Sequence, residues 1–159
     1  MANIRGITPC LWFDGQAEEA ARFYTGIFPN SRIKQISRYG EWGQDVHGQP
    51  AGTVMTVEFE LDGQPFTALN GGPQFKFNEG ISFQAHCETQ EDIDYYWEKL
   101  TEGGDEAAQQ CGWLKDKYGL SWQVVPTALS SLVDDPDAME AMLKMKKFDI
   151  AELERAHAG

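Results

Sequence analysis

Gln123 is an uncharged amide in the middle of Leu120 to Pro126, a run that otherwise reads as a buried strand. Leu120, Trp122 and Val124 alternate there with Ser121, Gln123 and Val125. Three other alternating runs share this mixed character. Thr8, Cys10 and Trp12 alternate with Ile7, Pro9, Leu11 and Phe13. Ser82, Gln84 and His86 alternate with Ile81, Phe83, Ala85 and Cys87, and Thr67 lies in Gln64 to Asn70. Hydroxyls, amides, a thiol and an imidazole on strand faces are donors and acceptors for a small polar organic ligand, and burying so many without partners is costly. Trp12, Trp113, Phe75 and Phe77 are aromatic candidates to cover such a ligand. Covalent chemistry has one candidate pair: a Cys10 thiol needs a base to become a thiolate, and His86 is the imidazole on a comparable face. His47 falls in a loop and His157 in the tail, where solvation is expected of both.

The elements that must hold these residues follow from periodicity. Ile7 to Phe13 predicts a strand, with Pro9 as a discord because it cannot donate to a ladder. Ala17, Ala20, Ala21, Tyr24, Ile27 and Phe28 recur at helical spacing, with Asp14 at the expected N-cap. Strands are predicted over Arg32 to Tyr39, Thr53 to Leu61 and Gln64 to Asn70, the last two joined at Asp62-Gly63. A Gly-rich polar loop covers Glu41 to Gly52. Gly80 to Cys87 predicts a further strand, Thr89 then opens a helix striped by Ile93, Tyr96, Trp97 and Leu100, and Gly103-Gly104 ends it. Ala107 to Lys115 and Leu120 to Pro126 predict two strands joined at Tyr118-Gly119. Met139, Met142 and Leu143 stripe a tail helix, and Asp149 to Ala156 predicts a last short one.

The halves repeat. Adding 74 carries Ile7 to Ile81, Thr8 to Ser82 and Trp12 to His86; adding 56 carries Gly63 to Gly119 and Thr67 to Gln123. The chain therefore predicts an α+β fold of two pseudo-symmetric βαβββ modules: a curved mixed sheet around a trough, helices outside, and a C-terminal helical tail. A single domain is expected over 1–159, with module one about 3–72, module two about 78–127 and the tail about 128–157. The apolar faces then pack on helices and the mixed faces line the trough.

At 159 residues with 42% apolar and 24% charged side chains, the chain has the composition of a folded globular protein. A net charge of −12 excludes nucleic acid and anionic membrane surfaces as partners, and no window approaches a membrane span. Cys10, Cys87 and Cys111 are odd in number and form no CxxC, which predicts reduced thiols rather than disulfides or a zinc knot. No basic segment leads into an apolar run in "MANIRGITPC", so a cytoplasmic location is expected.

Three stretches, "LWFDGQAEEAARFYTGIFPNS", "FTALNGGPQFKFNEGISFQAHCETQEDIDYYWEKL" and "CGWLKDKYGLSWQVVP", with the tail "KMKKFDIAEL", resemble the vicinal oxygen chelate (glyoxalase/bleomycin-resistance) superfamily, and within it the PhnB-like branch. Members of that branch often carry the label 3-demethylubiquinone-9 3-methyltransferase. The resemblance implies a site at the trough-facing positions where metal enzymes of the superfamily place His, Glu or Gln ligands. Those positions are Thr8, Thr67, Ser82 and Gln123 here. Neutral hydroxyls and an amide are poor ligands for zinc, iron or nickel, so neither a metal nor another cofactor is expected. The expected ligand-binding set is Thr8, Cys10, Trp12, Thr67, Ser82, Gln84, His86 and Gln123. The alternatives are an enzyme, through a rearranged metal site of His86, Cys10 and Glu58 or through Cys10 and His86 alone, and the labelled methyltransferase. The latter needs a Gly-rich strand-to-helix turn, whereas Asn70 to Pro73 ("NGGP") follows a return strand and leads into Pro. The resemblance also implies a homodimer, with modules exchanged between chains as one form of it.

Overall fold

At Asp62-Gly63 the chain reverses on two residues of positive φ, 48° and 80°. Leu61 pairs directly with Gln64, forming the two-residue hairpin whose twist matches its flanking strands. This hairpin anchors the first of two compact units, Met1–Lys76 and the residues from Phe77 on, in a computed structural model that describes residues 1–158. The fold is α+β.

In the first unit the order is β1 (Cys10–Phe13), α1 (Ala17–Ile27), β2 (Arg32–Arg38), a short α2 (Gln44–His47), β3 (Val54–Leu61) and β4 (Gln64–Asn70). The sheet order is β1-β4-β3-β2, with β1 parallel to β4 and the other pairs antiparallel. One sheet face is apolar and buried: Leu11, Phe13, Val57, Phe59, Leu61, Phe66 and Ala68. Helix α1 covers it with Ala17, Ala20, Ala21, Tyr24 and Ile27, and Tyr24 lies over Phe59 at 6.4 Å between ring centroids. The alanines let the helix approach the sheet, and removal of this surface from water drives the packing. The N-cap is Gln16, without a side-chain cap bond, and not Asp14 as the spacing predicts. The buried Asn70 of β4 supplies the cap instead, its Oδ1 accepting from Ala17 N–H at 2.9 Å. β1 starts three residues later than predicted. Pro9 has no N–H to give, although its carbonyl still accepts from Thr67 N–H at 3.0 Å.

The second unit runs β5 (Ser82–Cys87), α3 (Gln90–Thr101), a 3-10 turn (Glu106–Ala108), β6 (Trp113–Lys115), β7 (Ser121–Pro126), α4 (Leu129–Leu132), α5 (Pro136–Leu143) and α6 (Ile150–Ala158). Its sheet order is β5-β7-β6, with β5 parallel to β7. The Thr89 hydroxyl caps α3 by accepting from Asp92 N–H at 3.2 Å. The repeat appears in the registers: Cys10 faces Thr67 in the first unit as Gln84 faces Gln123 in the second.

The second unit departs from the repeat in having three strands. Ala107 to Lys115 does not form one continuous strand. Asp105 accepts from Ala107 N–H at 3.0 Å and tightens a 3-10 turn, and Cys111 at φ 50° and Gly112 at φ 82° turn the chain again before β6. Backbone donors there are taken by the tail: Cys111 N–H bonds Met145 O at 2.9 Å and Gly112 N–H bonds Lys146 O at 2.8 Å. Phe148 is buried against Gly112, where a Cβ would stand 2.3 Å from its ring. The Gln90 side chain grips both sides of that anchor, donating to Phe148 O at 2.9 Å and accepting from Ile150 N–H at 2.8 Å. The tail is thus latched onto its own unit. Among the described residues no helix is long and apolar enough to cross a membrane.

Candidate functional site

Each sheet has one face under its helix and one carrying the mixed residues. In the second unit the registers place Gln84, Gln123 and Trp113 in one row across β5, β7 and β6, and Ser82, Ser121 and Lys115 in the next. Gln123 Nε2 donates to Ser82 Oγ at 2.9 Å, and Gln84 Nε2 reaches Gln123 Oε1 at 3.5 Å. Gln123 of β7 is therefore the middle member of an amide–hydroxyl chain whose two ends, Gln84 and Ser82, lie on β5. Ser82 and Gln123 are part-exposed, and Gln84 and His86 exposed. Ser121 is 1% exposed, and its hydroxyl has no hydrogen-bond partner. Lys115 pairs with the carboxylate of Glu79, and this pairing holds Glu79 below the ordinary carboxylate range.

A buried carboxylate fixes the hairpin that presents this face. Asp116 Oδ1 accepts from Tyr118 N–H at 2.9 Å and Leu120 N–H at 3.1 Å, while Oδ2 accepts from Trp122 Nε1–H at 2.9 Å. Three donors compensate the removal of its charge from water. Trp122 lies on the helix-facing side, so Asp116 couples the turn to the core.

In the first unit the equivalent row is Cys10, Thr67, Glu58 and Gln35, followed by Trp12, Leu69, Thr56 and Ser37. Ser37 and Thr56 are hydrogen-bonded to each other. Trp12 Nε1–H donates to Gly72 O at 2.8 Å, and the edge of its ring system meets Phe75 at 4.8 Å between centroids. Gly71 is the seat for this indole, since a Cβ there would stand 2.3 Å from the Trp12 ring. The first three residues of the "NGGP" segment have structural tasks: Asn70 caps α1, Gly71 seats Trp12, and the Gly72 carbonyl accepts from the indole N–H.

The expected ligand set therefore divides. Thr8, Cys10, Trp12 and Thr67 belong to the first unit, and Ser82, Gln84, His86 and Gln123 to the second. Thr8 is exposed and precedes β1, outside the ladder, whereas Ser82 and Gln123 are directly bonded. Cys10 and His86 lie on different units. Burial raises the Cys10 thiol above its ordinary value, which disfavours the thiolate a nucleophile needs. Burial, and then the Asp92 charge, push Cys87 up to about 11. The two remaining histidines are not simply solvated. The His47 ring packs on Tyr39 at 4.5 Å and its Nδ1 accepts from Gln49 N–H at 2.9 Å, while His157 contacts Asp134 at 3.1 Å. Neither Asp116 nor the Lys115–Glu79 pair stood out in the sequence. "DKYG" does place a carboxylate just before a tight turn, which is a legible Asx-type signal.

The residues present do not fit the divalent metal that the fold suggests. The four mapped positions bear three hydroxyls and an amide. Among the described residues no group of three or more His, Cys, Asp or Glu side chains stands together as a metal site.

A family model described as 3-demethylubiquinone-9 3-methyltransferase matches residues 5–125. A PhnB protein from Bacillus cereus of known structure is 38% identical, with 77% of this chain and 100% of that chain covered at a TM-score of 0.67. Two other solved structures share the fold: protein PA1353 from Pseudomonas aeruginosa (18% identity, 77% and 98% covered, TM-score 0.59) and the fosfomycin resistance protein FosX from Mesorhizobium loti (16%, 84% and 100%, 0.54). No curated protein sequence matches.

Proposed function

The chain belongs to the PhnB-like family of the vicinal oxygen chelate superfamily, and from that premise we propose that it binds a small polar organic ligand, without a metal, on the open faces of its sheets. One observation carries the reading: the Gln84–Gln123–Ser82 chain runs through two of the positions where metal enzymes of the superfamily place His, Glu or Gln ligands. Such a chain is polarised in one direction. Gln84 gives to Gln123, Gln123 gives to Ser82, and the Ser82 hydroxyl hydrogen remains to be given. A ligand carbonyl or carboxylate oxygen accepts that hydrogen, and the second N–H of Gln123 is a further donor beside it. Trp113, in the Gln123 row, offers an aromatic surface for the body of the ligand.

The methyltransferase label has less support, because the glycines of Asn70–Pro73 are committed to Trp12. An enzyme using Cys10 lacks an adjacent base in its own row, where the neighbours are Thr67 and, beyond it, Glu58. Self-association into a homodimer and a cytoplasmic location complete the proposal. Sedimentation velocity tests the dimer through the mass it gives for the free chain.

The ligand reading is tested with the 15N-labelled chain, following the side-chain NH2 signals of Gln84 and Gln123. Fractions of a small-molecule cell extract are expected to shift both signals, and Gln123→Leu to abolish the response at Gln84. Shifts produced by zinc, nickel or manganese ions at equimolar concentration, with none from any organic fraction, would contradict it.

A further inference from the structure

The row Ser82, Ser121 and Lys115 contains a charge and a buried hydroxyl that the amide chain does not use. Ser121 is 1% exposed and its Oγ meets no partner, although a buried hydroxyl ordinarily finds one. It stands in register between a hydroxyl with a proton to give and the only cation in either row. That cation is occupied by an internal carboxylate from a residue outside the strands, as the Lys115 ammonium bonds Glu79. The Glu79 side chain is 62% exposed and that of Lys115 26% exposed, so the carboxylate end of the pair sits in water and is free to exchange. Its pairing with Lys115 is what keeps Glu79 ionised to lower pH. Two hydroxyl donors and an ammonium group in one row match a carboxylate, which accepts charge-assisted hydrogen bonds on both oxygens. The adjacent row ends at Trp113, whose ring face suits a flat body.

Resting on the reading that this face binds a small ligand, we propose that it takes the carboxylate of a planar organic acid, received by Lys115, Ser82 and Ser121. Glu79 holds Lys115 in place until the ligand displaces it. Binding is an exchange of one carboxylate for another on the same ammonium, with no net change in the charge that Lys115 faces. The chain's net charge of −12 does not oppose this at short range, because screening over about 8–10 Å at physiological salt leaves the nearest cation in control.

The test uses three probes on one aromatic ring, the isosteric benzoate and benzamide and the cationic benzylamine, titrated into the 15N-labelled full chain. Benzoate is expected to shift the Gln84 and Gln123 side-chain amides at about tenfold lower concentration than benzamide. Benzylamine is expected to leave them unmoved. Lys115→Gln erases the preference, and Glu79→Gln tightens benzoate about threefold by removing the internal competitor. Ser121→Ala weakens benzoate yet raises the Tm of the free chain, a split that a purely structural role does not produce. Benzamide binding as tightly as benzoate, or a preference surviving Lys115→Gln, overturns the carboxylate inference and leaves the small-ligand reading standing. No shift from any of the three at either amide counts against both. An unchanged benzoate affinity in Glu79→Gln removes Glu79 from the account.

Discussion

Replacing Gly71 with alanine tests whether the Gly-Gly turn is a seat for Trp12. The backbone at Gly71 accepts any residue, so left-handed strain is not at issue. The obstacle is contact: the added Cβ would lie 2.3 Å from two Trp12 ring carbons and 2.5 Å from a third. The indole must swing away. Doing so breaks the Nε1–H bond to Gly72 O at 2.8 Å, costing about 1 kcal/mol, and the edge contact with Phe75, costing about 0.5–1.5 kcal/mol. Overpacking adds about 1–3 kcal/mol, and the stiffer unfolded chain returns about 0.4–1 kcal/mol. The net expectation is a loss of about 1.5–5 kcal/mol. Urea unfolding, followed by near-UV circular dichroism and tryptophan fluorescence, measures it, with the slope m unchanged. In a Trp12→Ala background the same substitution should cost far less, because the clash partner is gone. A loss below about 0.5 kcal/mol in the wild-type background, or an equal loss with and without Trp12, would refute the seat and reopen the turn to a cofactor role.

Three other outcomes follow from the geometry. Asp116→Asn turns an NH2 group toward the Trp122 indole N–H or a backbone N–H, and should cost about 2–4 kcal/mol in urea unfolding, with faster hydrogen exchange at the Trp122 indole. Cys10, exposed but with its thiol pKa raised, should react with iodoacetamide at neutral pH more slowly than free cysteine, and accelerate only as pH climbs past the ordinary thiol range. Asp94 lies below its ordinary value of 3.8 because it accepts from Lys147 and Gln90. The stability it lends the tail latch is therefore complete above that value and lost as pH falls through the lowered pKa. Lys147→Ala should raise the Asp94 midpoint in an NMR titration and loosen hydrogen-exchange protection in Ile150–Ala158.

What was legible in the sequence is what short-range pattern controls. Alternation over Thr53 to Leu61, Asp62-Gly63 and Thr89 each act within a few residues, and each element formed where expected. The repeat was legible because both halves bury the same strand face under a helix, and the Cys10–Thr67 and Gln84–Gln123 registers reproduce it. The break of Ala107 to Lys115 into a 3-10 turn and a three-residue β6 was not, since Cys111 and Gly112 are held by residues more than thirty positions away in the tail. Asn70 as the cap of α1 was hidden for the same reason: its partner, Ala17, is 53 residues distant. Within the candidate site, alternation assigned Gln123 and Ser82 to one face, but only the fold shows that they bond. Alternation also overreached at Thr8, because Pro9 delays the strand.

The most direct measurement is native mass spectrometry of the full chain purified from cells, with elemental analysis of the same sample, for wild type and Gln123→Leu. Metal-free ligand binding predicts less than stoichiometric divalent metal in both proteins and an organic adduct on the wild type that Gln123→Leu loses. One divalent ion per chain in the wild type, lost with the Gln123 side chain, would contradict it.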